Sequence, residues 1–123
     1  MIDNAVRLRA LHLLARLALR LCSPLQAKAL VDRIGIHLEA MQGPEAARAA
    51  VRELFPAGTC LSRAVTIAAT LRGADVVIGF DAWSGARGSA HAWLEIDGVR
   101  VDTSLDGDPQ FPDELTRLPA VKI

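Results

Sequence analysis

Three side chains in this sequence have the types needed for acyl transfer: Cys60, His91 and Asp102. A thiol attacks a carbonyl only as the thiolate, so a working cysteine needs a cationic or dipolar neighbourhood and a base beside it. Cys60 follows Pro56-Ala57-Gly58-Thr59, a turn that ends in a good N-cap residue, and so opens a helix. A helix start stabilises anions and can lower a thiol pKa from about 8.5 toward neutrality. Its backbone N–H groups can also stabilise an oxyanion. His91 interrupts an Ala/Leu-rich strand, and Asp102 lies on the strand that follows.

A single turn brings these last two together. Asp97-Gly98 between alternating runs is a strong hairpin signal. With those residues as the loop, Ile96 faces Val99, Glu95 faces Arg100, Leu94 faces Val101 and Trp93 faces Asp102. Ala90, Ala92, Leu94, Ile96, Val99 and Val101 then form one apolar face suited to packing against helices. His91, Trp93, Glu95, Arg100 and Asp102 share the other face. Asp102 is diagonal to His91, a separation of roughly 7–8 Å between Cα atoms that side chains bridge. It would fix the imidazole tautomer and stabilise imidazolium beside thiolate. Glu95 is the rival orienter, but Arg100 opposite is expected to engage it.

Arg63, one turn after Cys60 on the same helical side, either holds a carboxylate or a substrate group near the site or caps the surface. Trp93 either walls the cleft or packs the sheet. His12 and His37 fall on helices without evident partners and read as structural. Cys22, Cys60 and the histidines form no metal-type cluster, and no phosphate-binding glycine motif occurs, so no metal and no cofactor are expected.

The elements that must position these residues are legible from punctuation and periodicity. A first helix runs from about Asp3 to Leu21, with Leu8, Leu11, Leu14, Ala15, Ala18 and Leu21 facing inward. Ser23-Pro24 starts a second, ending near Met41. Gly43-Pro44 breaks the chain before a third over Glu45 to Leu54, and a fourth runs from Cys60 to Leu71. Val76 to Phe80 reads as a strand, followed by a Gly-rich loop and the hairpin. The expectation is one domain over 1–123: helical over 1–72, sheet over 74–105, and an irregular acidic tail over 106–123. Helices first and an antiparallel sheet after is an α+β pattern.

Composition narrows the function classes. With 14 basic and 14 acidic residues the formal charge is zero, so nucleic-acid binding is not expected. Two cysteines without a secretory signal point to a reducing, cytoplasmic setting with free thiols. No apolar run is long enough to span a bilayer. The first helix carries Arg7, Arg9, Arg16 and Arg20 among Leu and Ala; it is read as a domain helix, with an amphipathic targeting sequence or a helix in weak contact with a membrane surface as the alternatives.

At Cys60-Leu61-Ser62-Arg63-Ala64, Ile78-Gly79-Phe80, Ala90-His91-Ala92-Trp93-Leu94-Glu95-Ile96-Asp97-Gly98 and Asp102, the chain resembles the transglutaminase-like leader peptidases of lasso-peptide biosynthesis. The resemblance covers roughly Cys60 to Asp102, and the Leu/Arg-rich helices before it suit stand-alone members. Ser89 departs from the pattern, since members often carry an aromatic residue there, at one substrate subsite. The resemblance implies a transglutaminase/papain-like core and a bacterial cysteine peptidase. Its nucleophile would be Cys60, its base and later acid His91, and its orienter Asp102. It also implies three partners: a precursor peptide, a separate leader-binding protein, and an asparagine-synthetase-like cyclase that closes the macrolactam. The residues alone say thiol acyl transfer or amide hydrolysis. A crosslinking transglutaminase, an arylamine-acetyltransferase-like enzyme and a non-catalytic docking scaffold are the competing readings.

Overall fold

The apolar periodicities become four helices followed by four strands in the computed structural model, which describes residues 4–35, 43–54, 57–71, 74–81, 89–96, 98–102 and 114–118. Helices α1 to α4 span Asn4–Leu21, Pro24–Gly35, Gly43–Leu54 and Cys60–Thr70. Strands β1 to β4 span Asp75–Asp81, Ser89–Ile96, Val99–Asp102 and Glu114–Leu118. The sheet order is β3-β2-β1-β4, and every pairing is antiparallel. This is the expected α+β architecture.

Local chemistry accounts for the helix starts. At α2 the Ser23 hydroxyl accepts from the Gln26 N–H while the Gln26 side chain accepts from the Ser23 N–H, both at 3.3 Å. That reciprocal capping satisfies two donors the helix itself cannot. Pro24 then occupies the first helical position, where a missing N–H costs nothing. Gly43 and Pro44 open α3 rather than preceding it. The described part of α2 ends at Gly35, and the expected extension to Met41, with His37, lies outside the described residues.

Two expectations need correction. The tail beyond Asp106 is not wholly irregular: β4 pairs along β1, with Val76 opposite Leu118 and Val77 opposite Arg117. The sequence of β4, Glu114-Leu115-Thr116-Arg117-Leu118, alternates too little to announce a strand. In α1, Leu8, Leu11, Ala15 and Ala18 are buried, but Leu14 is only partly so and Leu21 is 75% exposed. The inward stripe is narrower than the leucine content suggested, and Val6, Leu13 and Leu17 also face outward. Among the described residues, no helix is long and apolar enough to cross a membrane.

The hairpin has the expected register: Trp93 opposite Asp102, Leu94 opposite Val101, Glu95 opposite Arg100 and Ile96 opposite Val99. Gly98 takes φ +76°, a conformation that side-chain-bearing residues adopt at a cost, which pins the turn and so the register. Ala92, Leu94, Ile96 and Val101 are buried in one cluster with Ala64, Val65, Ile67 and Ala68 of α4. The sheet's apolar face and α4 thus make a common core, to which α1, α2 and α3 add their stripes. Leu94→Ala should cost about 2–5 kcal/mol in denaturant unfolding, as expected of a fully buried leucine. Val99→Ala, at 38% exposure, should cost under about 1 kcal/mol.

Candidate active site

The first turn of α4 is fixed by its own sequence and by its neighbours. Thr59 caps it: the Thr59 hydroxyl accepts from the Ser62 N–H at 3.1 Å, and the Ser62 hydroxyl accepts from the Thr59 N–H at 2.9 Å. Arg63 reaches back from the same helix, donating to the Ala57 carbonyl at 2.9 Å and the Gly58 carbonyl at 3.4 Å. Gly58 has φ +69°, and a Cβ there would sit 2.6 Å from His12 Nε2 and collide with the Ser62 hydroxyl. Only glycine fits. Cys60 is therefore the first residue of a helix whose entry is held at several points, and its side chain is half-buried.

The partner side comes from the hairpin. His91 Nε2 lies 3.0 Å from Asp102 Oδ1, the diagonal contact that the register allows. Cys60 hydrogen-bonds to the His91 side chain and to the backbone of Ala92. With Nε2 facing Asp102, the remaining ring nitrogen, Nδ1, is the one that serves the thiol. Ala92 adjoins Trp93, the β2 residue that stands opposite Asp102.

Electrostatics follow from this packing. Burial pushes the Cys60 thiol up, but the His91 and Ala92 hydrogen bonds and the positive charges of His91 and Arg63 outweigh it. The net result is a thiol below its ordinary value. For His91 the hydrogen bond with Cys60 raises the pKa most, burial opposes it, and the Asp102 carboxylate adds to the rise. The two shifts run toward each other, which favours a thiolate–imidazolium pair.

The other residues singled out from sequence are placed differently. Arg63 is 6% exposed and holds loop carbonyls, so its guanidinium works on the protein's own backbone, not at an open substrate surface. Trp93 is 2% exposed, with its ring centroid 6.1 Å from that of His91, and braces the imidazole from the side. Glu95 is engaged by Arg117, at 3.3 and 3.2 Å, and Arg117 also binds Asp75 at 2.9 Å. That ion-pair group came from the unforeseen β4. His12 is not without a partner: it is 3% exposed, and its Nε2 lies 2.9 Å from Ser62 Oγ. Its place in the inward stripe of α1, between Leu8 and Ala15, is the periodic signal that marks it as buried. Cys22 is exposed at the end of α1. Among the described residues no group of side chains could hold a metal ion.

A thiol at a helix start, an imidazole hydrogen-bonded to it and a carboxylate beside the imidazole are the groups that covalent acyl-transfer chemistry uses. The model of the transglutaminase-like superfamily matches residues 4–116, and the chain belongs to that superfamily. The superfamily includes cysteine proteases and acyltransferases, usually with catalytic Cys, His and Asp. No curated protein and no solved structure matches the chain.

Two pH effects follow. Burial and the charges of Arg16 and Arg63 lower the His12 pKa from 6.5 to about 4. The folded chain thus binds this proton less readily than the unfolded one, and stability contributed by neutral His12 is lost as pH falls from 6.5 through 4. Denaturant melts across that range should show the loss, and His12→Leu should flatten it. Asp102→Asn removes a charge that supports imidazolium, so the alkylation midpoint of Cys60, read in a Cys22→Ser background, should rise.

Proposed function

We propose that this chain is a cysteine peptidase that removes the leader segment from a ribosomally made lasso-peptide precursor. The hydrogen-bonded series Cys60–His91–Asp102 at a helix start carries the reading. Membership of the superfamily supports thiol acyl transfer. The peptide substrate rests on the resemblance of Cys60-Leu61-Ser62-Arg63 and Ala90-His91-Ala92-Trp93-Leu94-Glu95 to the leader peptidases.

In this mechanism the Cys60 thiolate attacks the scissile carbonyl carbon, a C–S bond forms, and the carbonyl oxygen becomes an oxyanion. N–H groups of the first turn of α4 stabilise that charge. The intermediate collapses, the C–N bond breaks, and His91 gives its proton to the leaving amine. Water then attacks the thioester while His91 accepts a proton. The C–S bond breaks, releasing a carboxylic acid that loses its proton to solvent and regenerating the thiolate–imidazolium pair. Asp102 holds the ring throughout and stabilises its charged form.

A leader-binding protein presents the precursor in an extended form, raising the local concentration of the scissile bond by about 10²–10⁴. The freed amine then passes to the cyclase. A reactive thiol suits this work to the reducing cytoplasm. An acyltransferase would share every step up to the thioester and differ only in its acceptor.

Incubation with a precursor peptide, with and without the leader-binding partner and with an added amine, followed by mass measurement, tests the reading. The expected products are free leader and core, formed faster with the partner. An amine-linked product in place of the hydrolysed one would assign the acyltransferase instead. Cys60→Ala and His91→Ala should each leave less than about one per cent of the turnover with helical content unchanged. Cys22→Ala should be silent. Asp102→Asn should lose less than the about 10⁴-fold seen in a serine triad, because a thiolate–imidazolium pair depends less on proton abstraction during attack. Glu95→Gln should matter far less than Asp102→Asn.

A further inference from the structure

Two residues after Cys60, the Ser62 hydroxyl sits at the centre of a small buried polar network. It accepts from the Thr59 N–H at 2.9 Å, lies 3.0 Å from the Thr59 carbonyl, and lies 2.9 Å from His12 Nε2. A hydroxyl has one proton to give and can accept two. The Thr59 carbonyl cannot donate, so it takes that proton. His12 must then donate, as the Nε2–H tautomer, and all three contacts are satisfied at once.

We propose that His12 is a positioning residue for Cys60: from α1, its Nε2–H holds Ser62 and so fixes the first turn of α4 against β2. The inference rests on the reading of Cys60 as nucleophile. Four observations carry it. Position 12 lies in the buried stripe with Leu8, Leu11, Ala15 and Ala18, where an apolar side chain would pack without the cost of burying an imidazole. Its polar atom is spent on the turn that carries the thiol. Gly58, immediately before that turn, has no room for a Cβ because His12 Nε2 and the Ser62 hydroxyl already fill the space. Arg63 also holds the Ala57 and Gly58 carbonyls, so the entry to α4 is gripped by α1 and by its own first turns. A shift of about 1 Å in a reacting group can cost on the order of 10²-fold in rate. The grip therefore sets the distance from Cys60 to His91 and to the Ala92 backbone.

The test uses the full chain in a Cys22→Ser background, with iodoacetamide as the probe of Cys60 across pH. Unaltered at position 12, the chain should alkylate with a midpoint below an ordinary thiol. His12→Leu should move the midpoint up and slow alkylation at neutral pH by about tenfold or more, with helical content retained. His12→Gln, whose amide nitrogen reaches the place of Nε2, should restore the profile. His12→Asn, whose amide reaches only the place of Nδ1, should not. Should His12→Leu fail to fold, Ser62→Ala breaks the same contact from the other side and should give the same shift. Cleavage of the precursor should follow in kcat with KM little changed. A lower unfolding midpoint with an unchanged alkylation profile in His12→Leu, or equal rescue by Asn and Gln, overturns the inference alone. An ordinary thiol profile with His12 in place overturns it together with the nucleophile reading.

Discussion

The site depends on the register of one hairpin. Trp93 stands opposite Asp102, which puts Asp102 diagonal to His91 and its Oδ1 within 3.0 Å of His91 Nε2. The first turn of α4 meets β2 at the same place, where Cys60 hydrogen-bonds to His91 and to the backbone of Ala92. Both contacts of the imidazole are charge-assisted in the paired state. A one-residue slip would turn His91 into the helical core.

Around this point the protein buries polar groups that an ordinary core would avoid. Ser62, Arg63, His12 and Thr66 are all at or below 6% exposure. Each answers a backbone or side-chain need: Thr66 donates to the Ser62 carbonyl at 2.8 Å, and Arg63 donates to the loop before the helix. Such groups cost free energy when left unpaired and rigidify when satisfied. Their concentration at one end of α4, while Ala64, Val65, Ile67 and Ala68 continue as core, separates the helix into a positioned end and a packing body.

Much of this was legible in the sequence because its signals are local. Asp97-Gly98 set the hairpin register, and with it the contact between His91 and Asp102. Thr59 marked the start of α4, and Ser23-Pro24 that of α2. What escaped was long-range. β4 has too little alternation to declare itself, so Arg117 and its hold on Glu95 could not be foreseen from the β2–β3 pair alone. His12 could be read as buried from its place in the α1 stripe, but its contact with Ser62 depends on how α1 crosses α4. Arg63 and Trp93 are both buried, which tertiary packing decides and their spacing from Cys60 and His91 in the sequence does not show.

The central claim is that Cys60 carries the acyl group. Its most direct measurement is the reaction with a p-nitrophenyl ester of a short peptide, followed by rapid acid quench and peptide mapping. The account predicts a burst of nitrophenol of about one equivalent per chain. It predicts an acyl adduct on Cys60 that hydroxylamine removes, lost in Cys60→Ala and strongly slowed in His91→Ala. Ester turnover with the adduct on Cys22, or with no adduct and no burst and no dependence on Cys60, would contradict it.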